Sequence, residues 1–346
     1  MKYLKILGIS LFSIMLTGCL FKRDTMEDID VYTTIYPLNY LTTYLYKDYS
    51  NIHSIYPSGV EVSEYNLSDK KIKEYSKSDL FIFNGLDKDR DYAVKMINEN
   101  ENLKIIDTSI SVSYDYSVNE LWLNPNNYLM MAQNLKNGLL EYITNPYLIS
   151  NKDGTGIEDK YEQLNRDLSK LDANLKEAIK YANYDTIVVD NDTFKFLENL
   201  LTDKTFNVLS LDDSEEVTIT YTVKQGDTLD KIANENKVKK DDIIKLNNLK
   251  DNIVKPGDTL EIAIKTVSSN TINKVKKLIS DGNIKYIYSL DEKSNDIVNE
   301  IIEEYEIELI TINDMNTIDG GVSNSNENYL TIMNNNIDLL KKELYK

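Results

Sequence analysis

Apolar residues recur with one spacing through the middle of this chain. Tyr161, Leu164, Leu168, Leu171, Leu175, Ala178 and Ala182 stand 3, 4, 3, 4, 3 and 4 residues apart, which places them in one stripe on a helix over residues 159–182. The other positions carry Asp159, Lys160, Glu162, Arg166, Asp167, Lys170, Asp172, Lys176, Glu177 and Lys180, the polar surface of an amphipathic helix. At 1.5 Å per residue it would run roughly 36 Å. Such a stripe suits the seam of a dimeric coiled coil or a backbone helix bridging two α/β lobes. Strand-like runs that alternate with helix-like runs on both sides of it favour the bridge.

Before the stripe, residues 31–35, 52–56, 80–83 and 103–106 are short runs rich in β-branched and aromatic residues, each followed by a helical segment such as 38–46, 68–75 or 92–98. After it the rhythm returns, with strands at 186–189, 206–209, 285–288 and 308–312 and helices at 194–201, 272–279, 297–304 and 327–344. Strand, helix, strand at this pace predicts parallel sheets with helices on their faces. The fold class is α/β: two parallel-sheet (βα)4-type lobes joined by one long helix. Open α/β sheets bind ligands at their strand ends, so a cleft there is the expected site.

Composition narrows the chemistry. A chain of 346 residues suggests two or three domains. The net charge of −18 argues against nucleic acid as a partner, because phosphate binding needs clustered Lys and Arg. One Cys and one His exclude disulfides and any zinc site built mainly from thiolate and imidazole. His53 falls in the strand before Tyr56 and reads as structural rather than ligating.

The N-terminus reads Met1, Lys2, Lys5, an apolar run over 6–16, then Leu16-Thr17-Gly18-Cys19. A short charged region and a short apolar run ending in small residues describe an export signal. The last four residues resemble the lipobox of bacterial lipoproteins. That resemblance implies a signal peptide over 1–18, a lipid on Cys19 as the first mature residue, a polar tether over 19–29, and a place on the outer face of the cell membrane.

Three further stretches are recognisable: Asp30-Val31-Tyr32-Thr33-Thr34-Ile35-Tyr36-Pro37-Leu38, Tyr56-Pro57-Ser58-Gly59-Val60-Glu61 and Lys77-Ser78-Asp79-Leu80-Phe81-Ile82-Phe83-Asn84-Gly85. With Leu121-Trp122-Leu123-Asn124-Pro125, and Tyr329-Leu330 followed by Met333, Asn336 and Leu340, they resemble the solute-binding lipoproteins that serve zinc and manganese ABC importers. The resemblance implies an N-terminal lobe over 30–157, a bridging helix over 158–183, a C-terminal lobe over 184–216 and 266–346, and an ABC permease as a partner.

That family commonly holds its metal with three His and one acidic residue, and here the chain departs from it. Where the family reads Gly-Val-Glu-Pro-His-Asp-Tyr, this chain reads Gly59-Val60-Glu61-Val62-Ser63-Glu64-Tyr65. Glu120 takes the second ligand position, Asn191 the third, and Asn313 or its neighbour Asp314 the last. What remains near the expected cleft is oxygen, from Ser63, Glu61, Glu64, Glu120, Asp190, Asn191, Asp192, Asn313 and Asp314. Oxygen sites suit Mn²⁺ or Ca²⁺ and disfavour Zn²⁺. The site is therefore either rebuilt for a hard cation or another small solute, or no longer binds metal.

One block does not fit the receptor. Tyr221-Thr222-Val223-Lys224-Gln225-Gly226-Asp227-Thr228-Leu229, then Ile232-Ala233, Val238, Ile243-Ile244, Leu246-Asn247 and Pro256-Gly257-Asp258-Thr259-Leu260-Glu261-Ile262, closely resemble a LysM domain over 217–265, a βααβ unit inserted in the second lobe. Asp227 is placed to cap a helix from Thr228, whereas the second helix has Lys239 at its cap, with Asp241 and Asp242 in its first turn to offset the missing oxygen. Residues 212–216 and 266–270 would be connecting threads. The resemblance implies binding of N-acetylglucosamine-containing glycan, as in peptidoglycan, between two loops, with Gly226, Asp227, Thr228, Leu229, Asn252 and Ile253 as candidate contacts. Together these features lead us to expect a lipid-anchored, wall-contacting surface protein, either a receptor or a scaffold or adhesion protein that has lost its metal, and not an enzyme.

Overall fold

The computed structural model describes residues 25–346 apart from Ser58, Ser63, Asp213, 250–252, 291–294 and 317–326. The described chain divides into two compact units, one from residues 25–110 and 131–165, the other from 111–130, 166–316 and 327–346. The signal segment, the lipobox with Cys19, Ser63 and Asn252 lie outside the described residues. Among the described residues no helix is long and apolar enough to cross a membrane.

The first unit is built on β1 (Ile29–Thr33), α1 (Tyr36–Tyr46), β2 (Ser50–Ser54), α2 (Asp69–Tyr75), β3 (Leu80–Phe83), α3 (Asp87–Glu99) and β4 (Lys104–Asp107). Its strands are parallel in the order β2-β1-β3-β4. All four residues of β3 are buried, as an unbroken apolar run in an inner parallel strand should be. Edge strand β2 leaves alternate residues exposed. His53 is one of these, with its ring 5.2 Å from that of Tyr32 and its Nε2 3.9 Å from Asp30.

Four helices follow: α4 (Glu120–Leu123), α5 (Pro125–Tyr142), α6 (Pro146–Ile149) and α7 (Ile157–Lys180). In α5, Gly138 lets the helix approach β4, since a Cβ there would stand 2.7 Å from Ile106 Cγ2. The long helix α7 buries Tyr161, Leu164, Leu168, Leu171, Leu175 and Ala178 together with Ile157 and Ile179. The stripe is thus covered by the chain's own residues, which removes the need for a coiled-coil partner. Ala182 lies beyond the helix end.

The second unit contains β5 (Thr186–Val189), a 3₁₀ run over Asp192–Asn199, β6 (Asn207–Ser210), β7 (Ser214–Thr222), α8 (Leu229–Glu235), α9 (Lys240–Leu246), β8 (Thr259–Val267), α10 (Ser269–Ser280), β9 (Tyr286–Ser289), α11 (Asp296–Tyr305), β10 (Glu308–Thr311) and α12 (Tyr329–Leu344). Its parallel sheet runs β10-β9-β5-β6. Val188, Leu211, Val275, Ile287, Val298 and Ile301 form its core. The fold class read from the sequence is the one observed.

Three local expectations are corrected. Residues 192–199 form a 3₁₀ run rather than an α-helix. Phe194 and Leu197, both buried, eclipse at the three-residue spacing of that helix. The threads expected to carry the insert are paired: β7 and β8 run antiparallel from Thr222↔Thr259 through to Ser214↔Val267. Finally, Thr228 rather than Asp227 caps α8, its hydroxyl accepting from Lys231 N at 3.2 Å, because Asp227 is engaged elsewhere. Between β7 and β8 the two helices enclose a second core of Val223, Leu229, Ile232, Ala233, Ile243, Leu260 and Ile262.

Candidate functional site

The second unit presents most of the expected metal-ligand positions at the C-terminal ends of its strands. Asp190 follows β5 directly, and both of its oxygens are occupied: the Ser289 hydroxyl at the end of β9 donates to Oδ2, and Asn191 Nδ2 donates to Oδ1 at 2.5 Å. Burial pushes the Asp190 carboxyl up to about 6, against these hydrogen bonds, which lower it. Asn191 is the N-cap of the 3₁₀ run, where its Oδ1 accepts from Thr193 N at 3.0 Å. Its amide is therefore spent at both ends.

The remaining positions are similarly committed. Glu120 is buried at the start of α4, and its Oε2 accepts from Asp115 N at 3.1 Å and Tyr116 N at 3.4 Å, folding the preceding loop over the carboxylate. Burial raises its carboxyl and those two backbone donors lower it. Asn313 Oδ1 accepts from Met315 N at 2.8 Å, while its main chain is held on both sides by the Asn336 amide. Asp314 accepts from Asn316 N at 3.0 Å and Asn316 Nδ2 at 2.6 Å, and from Asn119 at 3.4 Å. Its carbonyl receives Trp122 Nε1 at 2.7 Å.

Two residues absent from the sequence reading join this group. Asp212 stands just after β6 as Asp190 stands after β5. Partial burial raises its carboxyl first, the Asp192 charge adds to this, and Lys195 pulls it back. Lys195 Nζ lies 3.0 Å from Asp192 Oδ1 with only 18% of its side chain exposed, and 5.8 Å from the centre of the Tyr116 ring. The carboxylates after successive strands were a readable signal. The lysine was not, since only the 3₁₀ turn brings it onto Asp192. Among the described residues no three His, Cys, Asp or Glu side chains gather closely enough to hold a metal ion. A zinc ion, which needs about four ligands with imidazole or thiolate prominent, does not fit these oxygen groups. In the first unit Glu61 accepts backbone N–H groups of Glu64 and Tyr65 through its carbonyl at 3.2 and 3.1 Å, closing a tight turn, and the Glu64 side chain is exposed.

The inserted domain offers a different kind of site. Lys224-Gln225-Gly226-Asp227 and Lys255-Pro256-Gly257-Asp258 fold into matching turns. In each, the Asp carboxylate accepts from the Lys backbone N–H, at 2.8 and 2.7 Å, the Asp N–H returns to the Lys carbonyl, and the Gly sits at φ +89° or +94°. Val223 binds the turns together, its N–H donating to Asp258 O and its carbonyl accepting from Gly257 N, both at 2.8 Å. Asp227 also accepts from the Tyr221 hydroxyl at 2.8 Å and Lys231 Nζ at 3.0 Å. The Lys224 backbone N–H, then Tyr221 and Lys231, hold its carboxyl down at about 2. Of the expected contacts, Leu229 is buried in the small core, Thr228 caps α8, and Ile253 is 73% exposed.

Two parallel α/β units, carboxylates and amides at the strand ends, and a small βααβ insert define the class as a periplasmic-type solute-binding protein carrying a LysM domain. The sequence matches the family described as zinc-uptake complex component A periplasmic (ZnuA) over residues 31–240, and the LysM domain over residues 221–263. The chain belongs to the ZnuA family, which is one of receptors rather than enzymes. Among solved structures it is similar to Zn(II)-bound AdcA from Streptococcus pneumoniae, with TM-score 0.60 and 16% identity over 92% of this chain and 58% of that one. The metal-dependent lipoprotein YcdH from Bacillus subtilis gives TM-score 0.61 and 17% identity over 92% and 100%. The laminin-binding protein Lbp of Streptococcus pyogenes gives 0.57 and 13% over 92% and 99%. At these identities the likeness speaks for the fold. The chain spans less than two thirds of the AdcA chain.

Proposed function

We propose that this protein is a lipid-anchored, extracytoplasmic member of the zinc receptor family that holds the cell wall through its LysM insert and has a degenerate metal site. In this reading Cys19 carries the lipid after removal of 1–18, residues 19–29 form a tether, and 217–265 are the wall-binding domain set into the C-terminal lobe of 184–216 and 266–346. The N-terminal lobe is 30–157 and the bridging helix 158–183. One observation carries the metal half of the proposal: the side chains at positions 120, 191 and 313 are bound into local hydrogen bonds with the backbone. A receptor without a zinc site would need an ABC permease only if another solute replaced zinc. A scaffold or adhesion protein would need only its two anchors.

Support for the glycan half comes from the paired turns, which hold two main-chain loops together, and from Ile253, an exposed apolar side chain two residues before the second turn. Candidate contacts at Gly226, Asp227, Thr228, Asn252 and Ile253 are proposals of the same kind. Leu229 supports the loop from the core beneath it.

Calorimetry of the chain lacking residues 1–19 against Zn²⁺, Mn²⁺ and Ca²⁺, repeated on Glu120→Ala, tests the metal half. No tight zinc binding is expected. Nanomolar zinc binding abolished by the substitution would restore a zinc receptor. Manganese or calcium binding lost in the same variant would favour a site rebuilt for a hard cation. Pull-down on purified peptidoglycan tests the glycan half, and failure to bind would leave the insert as a spacer.

A further inference from the structure

We infer that the outer edge of β7 is a self-association surface, on which a second copy of this chain pairs its own β7 antiparallel to the first. The inference stands apart from the metal and glycan readings.

The two edges of the inserted ribbon differ. Val223 N–H points across to Asp258 O at 2.8 Å, so antiparallel alternation turns the main-chain groups of Tyr221, Ile219 and Val217 towards β8 and those of Thr222, Thr220, Thr218 and Glu216 away from it. On β8 the outward groups of Glu261, which pairs with Thr220, are occupied. Asn247 Oδ1 accepts from Glu261 N at 2.7 Å, and Asn247 Nδ2 donates to Glu261 O at 2.6 Å. One carboxamide after α9 thus does at that edge what a third strand would do. Among the described residues no hydrogen bond reaches the outward main-chain groups of Thr218, Thr220 or Thr222, and their side chains are exposed.

Edge strands are commonly guarded by charge, proline or a bulge. The stretch Val217-Thr218-Ile219-Thr220-Tyr221-Thr222 has none of these: it is uncharged, pairs one-to-one with β8, and all but Tyr221 are β-branched. That is the composition that pairs most readily with another strand.

A second copy fits this edge on three grounds. The register centred on Thr218 pairs all nine residues of β7, with Thr218 facing Thr218 and Glu216 facing uncharged Thr220 rather than its own counterpart. Residues 217–265 hold nine Lys and eight Asp or Glu, a net charge of +1 in a chain whose total is −18, so repulsion between two copies is weakest at this domain. Each copy also offers one open edge of the ribbon, which closes the assembly as a two-fold dimer instead of a fibre. On the glycan reading, such a dimer would hold a repeating sugar chain at two points at once.

Sedimentation velocity on the chain lacking residues 1–19, a form without cysteine, tests the surface, with circular dichroism to confirm that each variant is folded. We expect a reversible dimer in the wild type. Thr218→Lys sets two ammonium groups face to face across the axis and should weaken the dimer about fivefold, whereas Thr220→Lys, opposite Glu216 of the second copy, should hold it at least as tightly. Thr218→Cys should form a disulfide-linked dimer on mild oxidation, because the two Cα atoms stand about 5.5 Å apart in such a pair. Thr222→Cys should not, since its two positions lie about 27 Å apart along the strands. A wild type that stays monomeric at its solubility limit, a dimer that Thr218→Lys leaves intact, or cross-linking as fast at position 222 as at 218 would each overturn the inference.

Discussion

The Tyr221 hydroxyl donates to Asp227 Oδ2 at 2.8 Å, and with the Lys224 backbone N–H and the Lys231 ammonium it stabilises the ionised carboxylate. The folded-state value, about 2, lies below the ordinary aspartate value near 3.9. The unfolded chain therefore takes up the proton first on acidification. The stabilisation from Asp227 is fully present above about pH 4 and is lost as the pH falls through about 2. Acid unfolding of the insert, followed by NMR or circular dichroism, should be less steep between these limits in Asp227→Asn than in the wild type.

Asn191 acts as a cap. Replacing it with Ala removes the acceptor for Thr193 N and the donor to Asp190, and should cost about 1 kcal/mol, with up to about 2 within the usual range for caps. Asn191→Ser, which keeps a capping oxygen, should cost less. Urea unfolding of the three proteins measures the difference. Equal stability of the Ala variant and the wild type would remove the cap from the account.

Trp122, the single tryptophan, is buried. It donates Nε1–H to Asp314 O at 2.7 Å and accepts from the Tyr329 hydroxyl on its own carbonyl at 2.6 Å. The Tyr329 ring stacks on Tyr128 at 3.8 Å. Tyr329→Phe keeps the stack and loses one buried hydrogen bond, for a cost of about 1 kcal/mol. Trp122→Ala should cost about 3–5 kcal/mol. Thermal unfolding of both variants checks the ratio, and Trp122 emission gives a direct probe of the second unit in the Tyr329→Phe protein.

Gly226 is open on its Cβ side, since nothing lies within 4 Å, but its φ is +89°. The expected penalty for Gly226→Val is therefore conformational rather than steric crowding, about 1–2 kcal/mol. Gly226→Asn, which tolerates positive φ better, should be milder. Melting temperatures of the two variants, and their retention on peptidoglycan, separate loop strain from loss of the glycan surface.

Much of the fold was legible. Leu80-Phe81-Ile82-Phe83 reads as a buried strand and is one, and the stripe from Tyr161 to Ala178 reads as a helix and is buried as one. Illegibility began where two structures share a spacing. Phe194 and Leu197 sit three apart, which fits either an α-helix or a 3₁₀ turn. Asp227 and Thr228 are adjacent residues with equal chemistry for capping, and the choice fell to Thr228 because Tyr221 and Lys224 claim the aspartate. Positions 191 and 313 fall just after β5 and β10, and position 120 at the start of α4. That their oxygens would be taken by Tyr116, Thr193 and Met315 N–H groups could not be read from the sequence, since those partners are set by loop conformation. The repeated Lys-X-Gly-Asp was visible all along, and only the turns gave it meaning.

The nine-pair ribbon of β7 and β8 also decides how a pull on the insert would reach the rest of the chain. Both strands leave the second unit at the same end, one beyond buried Leu211 and the other at Val267, which packs against the same core. A load applied at the far end runs down the two strands in parallel, so neither slides past the other and the cross-strand hydrogen bonds are spared. The traction enters the second unit through two covalent moorings rather than one, and a single cut in the helices between them would leave both strands still rooted in that core.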